Sequence, residues 1–264
     1  CISKMAKSYT FIVNYETHKI SIKKTNTKYI SDRAQSMIVS EIKEMALLVA
    51  KVPDAITFAW GIPFVETPLH IRSALKKALD QDPDLGKYSP SLGLPELRKL
   101  IAQDIKQKYK VAANPDSELM VTAGAMEALM CAFQTIVNPG DEIIMTSPGF
   151  SSHIQQILLA GGTPKFLPLI EDKNWTIDLA TLPKLITPKT KAIVLCSPCN
   201  PTGSIFSKKE LTAIAEIILK SDIMLITDEP YHFLTFNNKS PYSLVSDKRL
   251  RHNRISCFSF SKEF

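Results

Sequence analysis

Residues 191–227, KAIVLCSPCNPTGSIFSKKELTAIAEIILKSDIMLIT, decide the fold of this chain. The segment begins with an apolar run at 191–195 and ends with another at 223–227, and runs of this length are typical of buried strands. Between them, Ser207 and Glu210 have the spacing of a capping box, which predicts the start of a helix. The segment therefore predicts a strand, a helix and a second strand.

The same pattern occurs earlier in the chain. Residues 119–122 predict a strand, residues 125–137 place their larger apolar side chains at helical spacing, and residues 142–145 resume as a strand. Continuous apolar strands separated by helices indicate a mainly parallel sheet covered on both faces, so we predict an α/β fold with an α/β/α large domain. Ligands bind beyond the carboxyl ends of such strands, so the residues that follow each strand are the candidates for a site.

The positive charge of the chain is concentrated at one end. The formal net charge is +6, and residues 1–30 hold six lysines against one acidic residue, so this segment carries +5 and the rest only +1. A nearly neutral body gives no support for nucleic-acid binding, which requires a basic surface. No uncharged apolar run of about 18 residues is present, so we expect no membrane span.

The five cysteines are an odd number without a secretory signal, which favours a reducing, cytoplasmic location. Cys196 and Cys199 form a CxxC pair, but a zinc site would need a second pair or nearby histidines. A redox pair would open a helix, whereas residues 200–203 predict a turn. We therefore expect no metal and no redox chemistry at this pair.

Two of the strand ends carry residues that suit a phosphate and a planar ring. Gly124 lies where a strand enters a helix, and the free amides at a helix N-terminus can hold a phosphate. Phe150 follows Pro148 and Gly149 and could lay its ring on a planar ligand. The alternatives are a tight turn at Gly124 and a core position for Phe150.

The remaining strand ends carry polar groups that a buried core does not need. Asp228 and Tyr231 follow one apolar run, and a carboxylate there must be paired or solvated. Asn200 precedes a proline, and Lys262 follows the last strand-like run, FSFS. Taken singly, Asp228 also fits a cap, Asn200 a turn residue, and Lys262 either a solvated end or an amine with a lowered pKa. A phosphate cradle, a stacking ring, a carboxylate, a phenol and an amine together suit pyridoxal 5′-phosphate.

At these residues the sequence resembles the fold-type I pyridoxal-phosphate enzymes, specifically the class I/II aminotransferases. The resemblance covers residues 31–264, and it rests on six motifs in the family's order. The motifs are Gly61-Ile-Pro63, Tyr88-Ser-Pro-Ser-Leu-Gly-Leu-Pro-Glu-Leu-Arg98, Val121-Thr-Ala-Gly-Ala-Met-Glu-Ala128, Asn200-Pro-Thr-Gly203, Asp228-Glu-Pro-Tyr231 and Ser259-Phe-Ser-Lys262. The resemblance implies the large domain of the pyridoxal-phosphate transferase fold.

The resemblance assigns roles to matching positions. It implies that Lys262 is the Schiff-base lysine and that Asp228 pairs with the pyridine nitrogen. It also implies that Tyr231 and Asn200 bind the phenolic oxygen of the ring, and that Phe150 stacks on the ring. Catalysis would then depend on Lys262, Asp228 and Tyr231.

The phosphate, the substrate and a second subunit complete the implied site. Ser259 and the amides of Gly124, Ala125 and Met126 would hold the phosphate. Gly61, together with Asn200, would lie at the substrate, and Tyr88 resembles a tyrosine that the neighbouring subunit supplies, which implies a homodimer. The implied reaction moves an amino group between an amino acid and a 2-oxo acid.

The resemblance also suggests how the chain is organised. We predict a basic extension at 1–30, a segment near the substrate at 31–65, and an incomplete cofactor-binding domain at 66–264. Members of the family continue beyond the lysine into an arginine motif and a small domain, so we expect a fragment of a longer enzyme or an inactive truncated product. A lyase or decarboxylase on the same scaffold, and a non-catalytic effector-binding relative, are the alternatives.

Overall fold

A computed structural model describes residues 11–14, 19–22, 29–35, 37, 41–57, 61, 66–236 and 241–263. The chain divides into two compact units, Cys1–Gly61 and Ile62–Phe264. The predicted extension at residues 1–30 lies mostly outside the described residues, and the predicted three-part division stays a prediction.

The first unit contains a strand pair and two helices among its described residues. Strands β1 (Phe11–Asn14) and β2 (Lys19–Ile22) pair in antiparallel fashion, with Phe11 opposite Ile22. Helices α1 (Asp32–Gln35) and α2 (Glu41–Val49) follow.

The second unit contains, within its described residues, a six-stranded sheet and the helices around it. The helices are α3 (Leu69–Gln81), α4 (Pro95–Tyr109), α5 (Gly124–Ile136), α6 (Ser151–Leu159), α7 (Leu182–Leu185) and α8 (Lys208–Ser221). The strands are β3 (Glu142–Ser147), β4 (Thr163–Ile170), β5 (Thr176–Ile177), β6 (Thr190–Cys196), β7 (Met224–Asp228) and β8 (Arg254–Cys257), and single 3-10 turns occur at Glu171–Lys173, Leu244–Ser246 and Lys248–Leu250. The order is β5-β4-β3-β6-β7-β8, and every pair is parallel except β4 with β5, which confirms the predicted mainly parallel sheet. None of the described helices is long and apolar enough to cross a bilayer.

Helices cover both faces of the sheet. In β3, Ile143 and Met145 point to one face, where they join a cluster that includes Phe133 of α5. Ile144 points to the other face, where it joins a cluster that includes Ile214 of α8. The alternation of a strand therefore divides its apolar side chains between two cores, and the predicted α/β/α layering is confirmed.

Helix α8 begins as its sequence predicts. The Ser207 hydroxyl accepts a hydrogen bond from the Glu210 amide at 3.2 Å, and the Glu210 carboxylate accepts one from the Ser207 amide at 2.8 Å. Leu211, Ile214 and Ile218 are buried on one face of the helix. The cap supplies about 1 kcal/mol, and the apolar face holds the helix against the sheet.

Two predicted strands differ from the structure. Residues 119–122 form no strand, because the Val121 amide donates to the Leu92 carbonyl at 3.0 Å and no neighbouring strand is present among the described residues. The strand-like run near the C-terminus ends earlier than predicted, at Cys257. The Ser259 hydroxyl accepts a hydrogen bond from the Ser261 amide at 3.1 Å, and this local bond favours a turn over strand pairing.

Candidate active site

The carboxyl ends of four neighbouring parallel strands meet at one edge of the sheet. Strands β3, β6, β7 and β8 end at Ser147, Cys196, Asp228 and Cys257. In the register of the sheet, Asp228 lies between Cys196 and Cys257. A few residues beyond these ends come the predicted site residues Phe150, Asn200, Tyr231, Ser259 and Lys262.

Asp228 is a buried carboxylate with one oxygen paired and one unpaired. Its side chain is only 4% exposed, and the Nε2 atom of His153 lies 3.0 Å from its Oδ2 atom. The Oδ1 atom is also buried, and it has no hydrogen-bond partner among the described residues. A buried acceptor without a donor costs about 1–3 kcal/mol, so this atom marks a position where a ligand donor would be favourable.

His153 is held in place by an aromatic neighbour. The ring of Phe150 meets the ring of His153 edge-on, with centroids 5.4 Å apart and an interplanar angle of 87°. Both residues come from the start of α6, Phe150 as its N-cap. The structure therefore links the predicted Phe150 to the predicted Asp228 through a histidine that the sequence interpretation missed.

Tyr231 lies between the two other predicted polar residues. The Asn200 side-chain amide is 3.4 Å from the Tyr231 hydroxyl, and the Lys262 ammonium is 5.9 Å from the centroid of the Tyr231 ring. Burial raises the pKa of Tyr231, with Cys196 and Asp228 raising it further and the Asn200 hydrogen bond opposing them. The structure thus brings Asn200, Tyr231 and Lys262 together.

The N-terminus of α5 offers free backbone donors. Gly124 opens the helix with a φ of +75°, a conformation that favours glycine, and its amide donates to the Thr122 carbonyl at 2.8 Å. The Glu127 carboxylate accepts the Ala123 amide. The amides of Ala125 and Met126 have no acceptor among the described residues, as is usual in the first turn of a helix.

A buried glutamine joins this helix end to α6. The Gln156 amide nitrogen donates to the Met126 carbonyl at 2.8 Å, and its Oε1 atom has no hydrogen-bond partner among the described residues. His153 and Gln156 lie one turn apart on α6, and both side chains are buried. One helix therefore contacts Asp228 and the start of α5 together. His153 and Gln156 are polar residues three positions apart, shortly after Pro148 and Gly149, and this spacing was the sequence feature that could have identified them.

A second polar cluster anchors the turn that carries Tyr231. The Glu229 amide donates to the Cys257 carbonyl at 2.9 Å, and its carboxylate accepts the Ser243 hydroxyl at 2.7 Å. The His232 Nδ1 atom lies 3.3 Å from the same carboxylate, without forming a hydrogen bond to it. Glu229 and His232, which flank Pro230 and Tyr231 in the sequence, are both buried.

The CxxC pair lies at the end of β6 and in the turn that follows it. Cys196 and Cys199 are free and buried. Burial raises the pKa of the Cys196 thiol far above its usual value, and the nearby Asp228 raises it further. The Gly203 amide donates to the Cys199 carbonyl at 2.8 Å, and this bond closes the turn predicted at residues 200–203. The described residues include no cluster of three or more potential metal ligands.

Tyr88 and Gly61 are the two remaining predicted residues. Tyr88 is fully exposed, and no hydrogen bond or ring contact involves its side chain among the described residues. Gly61 belongs to the first unit. Their predicted roles depend on a neighbouring subunit or a substrate, so both stay predictions.

The donors and acceptors of the site fit pyridoxal 5′-phosphate. A protonated pyridine nitrogen would supply the donor that the Oδ1 atom of Asp228 lacks. The free amides of Ala125 and Met126, at the positive end of the α5 dipole, would supply donors to a phosphate. Lys262 and Tyr231 lie at the same edge of the sheet.

Comparison with known proteins shows that the chain is similar to aminotransferases. The family model described as "Aminotransferase class I and II" matches residues 53–264. The chain is 36% identical to an aspartate aminotransferase of Pyrococcus abyssi and 32% identical to an aromatic-amino-acid aminotransferase of Thermococcus litoralis, each over 235 residues. Each match covers 89% of this chain and 60% of the relative, so the chain spans about three-fifths of their length.

Solved structures give the same result for the fold. A mutant of the Thermus thermophilus aspartate aminotransferase superposes with a TM-score of 0.81 at 30% identity. The match covers 89% of this chain and 61% of that structure. The predicted fold, the large domain of the pyridoxal-phosphate transferase type, is therefore confirmed.

Proposed function

The chain belongs to the aminotransferase class I and II family, and we propose that the protein uses pyridoxal 5′-phosphate to move an amino group from an amino acid to a 2-oxo acid. One observation carries the proposal. Asp228 is buried at the carboxyl edge of the sheet with one oxygen held by His153 and the other without a donor. A buried carboxylate arranged in this way suits a ligand that presents a protonated ring nitrogen.

The bound cofactor would act as an electron sink for the carbon next to the substrate amino group. Asp228 would hold a proton at the ring nitrogen, because a buried carboxylate favours a positive charge beside it. His153 would keep the carboxylate oriented, since its Nε2–H group donates to the Oδ2 atom. Both side chains are buried, so water does not compete for these hydrogen bonds.

Lys262 would bind the aldehyde carbon of the cofactor and, once released, move the proton of the substrate α-carbon. Its ammonium lies 5.9 Å from the Tyr231 ring centroid, and the side chain is half-buried. Tyr231 would donate its hydroxyl proton to the phenolic oxygen of the ring, together with the Asn200 amide. Burial raises the pKa of Tyr231, which keeps that hydroxyl protonated and able to donate.

The remaining predicted residues would position the cofactor. We assign the phosphate to the amides of Gly124, Ala125 and Met126 and to the Ser259 hydroxyl. In the present structure the Gly124 amide donates to the Thr122 carbonyl, so it would exchange this local bond for the phosphate. The Ser259 hydroxyl accepts from the Ser261 amide, and its own O–H group can still donate to the phosphate. Phe150 would stack on the ring.

We propose that the complete site forms in a homodimer, with Tyr88 directed to the partner. Helix α3 supports a second subunit, because it buries no residue of its own and exposes Leu75 and Leu79. Gly61, in the predicted segment 31–65, would lie at the substrate carboxylate with Asn200. The described cysteines are free thiols, which supports a reducing compartment such as the cytoplasm.

An assay of the protein with pyridoxal phosphate tests the proposal. Aspartate and phenylalanine are the first amino donors to try, since relatives are named aspartate and aromatic-amino-acid aminotransferases. We expect one of the donors to lose its amino group in step with amination of an added 2-oxo acid. Release of carbon dioxide or ammonia without use of the oxo acid would contradict amino transfer and favour a decarboxylase or lyase.

A further inference from the structure

A basic cleft of about 520 Å³ lies in the second unit, at the end of α4. Its lining consists of Lys106, Lys110, Val111, Ala112, Lys248, Arg251 and Arg254, which is five cations and no acidic residue. Arg254 is the first residue of β8, whereas Asp228 is the last residue of the neighbouring parallel strand β7. The cleft therefore lies at the opposite edge of the sheet from the candidate active site.

The three lysines of the cleft have no acidic partner among the described residues. Arg251 is paired, because its guanidinium contacts both oxygens of the Glu118 carboxylate, at 2.7 and 2.9 Å. The Nη1 atom of Arg254 donates to the backbone carbonyls of Leu244 and Asp247, at 2.8 and 3.1 Å. These contacts orient the two arginines, whereas no described carboxylate pairs with the lysines.

The arginines lie close enough to repel each other. Burial lowers the pKa of Arg254, Asp247 and Glu229 raise it, and the charge of Arg251 lowers it again. Cations gathered in a concave surface raise the local concentration of anions. This gathering contrasts with the chain beyond residue 30, whose net charge is only +1.

The dipole of α4 accounts for only some of the cations that line the cleft. Lys106 and Lys110 lie at the C-terminal end of α4, where a cation offsets the helix dipole. Lys248 belongs to a 3-10 turn, and Arg254 to a strand, so the dipole does not account for them. Three separate elements therefore contribute cations to one concave surface.

We propose that this cleft binds a compact anion with at least two negative charges, of the pyrophosphate or phosphate-ester class. The volume is that of a small-molecule site. The three lysines supply point charges for phosphate oxygens, and the two arginines, held by their own hydrogen bonds, add positive charge around them. The lining contains no aromatic side chain on which a base could stack, which favours a compact anion over single-stranded nucleic acid.

The test is calorimetric titration of inorganic pyrophosphate into protein that is saturated with pyridoxal phosphate, repeated without that cofactor. The test variant is the double charge reversal Lys110→Glu with Lys248→Glu. The matched control is Lys220→Glu, another exposed lysine in the last turn of a helix. We expect the wild type to bind one pyrophosphate per chain. The affinity should be about tenfold lower in the double variant and unchanged in the control. It should also fall as the salt concentration rises.

Three results would overturn the proposal. The first is no binding of pyrophosphate by the wild type, and the second is equal binding by the wild type and the double variant. The third is tighter, lysine-dependent binding of a single-stranded RNA oligonucleotide, which would assign the cleft to nucleic acid. In the second case, binding that occurs only without the cofactor would place the pyrophosphate in the phosphate cradle at α5, for the wild type and the double variant alike. Failure of the aminotransferase proposal would leave the lysine dependence unchanged, so the two proposals fail separately.

Discussion

The Nε2 atom of His153 lies 3.0 Å from the Oδ2 atom of Asp228, and both side chains are buried. This contact joins α6 to the end of β7, and it leaves the Oδ1 atom of Asp228 as the one oxygen of this carboxylate without a partner in the described part of the chain. The histidine therefore selects the direction in which the carboxylate can accept a ligand donor.

Replacement of the histidine tests that role. We expect His153→Ala to weaken binding of pyridoxal phosphate by about ten- to a hundredfold, because a hydrogen bond to a buried charged group is worth about 1.5–3 kcal/mol. His153→Gln, which keeps a donor, should recover part of the affinity. A spectroscopic titration with the cofactor measures this, and His252→Ala is an exposed histidine control. Equal affinity in His153→Ala and the wild type would show that the contact does not position Asp228.

Replacement of Asp228 separates catalysis from binding. We expect Asp228→Ala to lower turnover by about a hundredfold or more while some cofactor binding remains, because the proton on the ring nitrogen loses its partner. Asp80→Asn, on the surface of α3, serves as the control. Wild-type turnover in Asp228→Ala would contradict the assignment.

Gly149 places Phe150 by allowing a close backbone approach. A Cβ atom at this position would overlap the Thr146 carbonyl oxygen, which is backbone and cannot move aside. We therefore expect Gly149→Ala to lower the free energy of unfolding by about 1–3 kcal/mol and to weaken cofactor binding. Urea unfolding measures the first effect. Gly86→Ala, where the added atom would meet nothing within 4 Å, should leave stability close to that of the wild type.

The capping box of α8 makes a separate contribution to stability. Ser207→Ala removes the acceptor for the Glu210 amide, so we expect a loss of about 1 kcal/mol in urea unfolding. The exposed Ser117→Ala is the matched control, and it should change stability by less than about 0.5 kcal/mol. A loss of the same size in both variants would mean that the cap is not the cause.

Asp247 makes stability depend on pH in the acid range. Hydrogen bonds from the Arg249 side chain, at 3.0 and 2.6 Å, hold the pKa of Asp247 below its usual value of about 3.9. Because the pKa is lower in the folded state, the stabilisation is present above about pH 4 and is lost as the pH falls through the folded pKa.

The corresponding variant is Asp247→Asn. We expect its free energy of unfolding to fall less steeply than that of the wild type between about pH 5 and pH 2, because one linked proton is removed. Asp172→Asn, at an exposed 3-10 turn, is the control. An unchanged acid slope in Asp247→Asn would rule out this pair as a source of acid sensitivity.

Local patterns in the sequence predicted the elements that depend on local interactions. The α8 capping box joins residues three apart, and its two hydrogen bonds form as expected. Strand formation depends on a partner, so the apolar run at residues 119–122 was wrongly predicted as a strand. Periodicity carries no information about whether a neighbouring strand is available to pair.

Contacts between distant residues escaped the sequence interpretation. His153 and Asp228 are 75 positions apart, and Gln156 and Met126 are 30 apart. In the sequence alone, His153 and Gln156 do not differ from polar residues on the exposed face of an ordinary helix. The basic cleft was missed for a similar reason, because Lys106 and Arg254 belong to elements far apart in the chain, and the overall charge of the body is nearly zero.

Covalent labelling of Lys262 tests most directly whether this residue holds the cofactor. The protein is incubated with pyridoxal phosphate, reduced with borohydride and digested, and the modified peptide is identified by mass spectrometry, with Lys262→Ala as the control. The account predicts one cofactor per chain, attached to Lys262 and absent from the variant. Attachment to a different lysine, or equal labelling of Lys262→Ala, would contradict it.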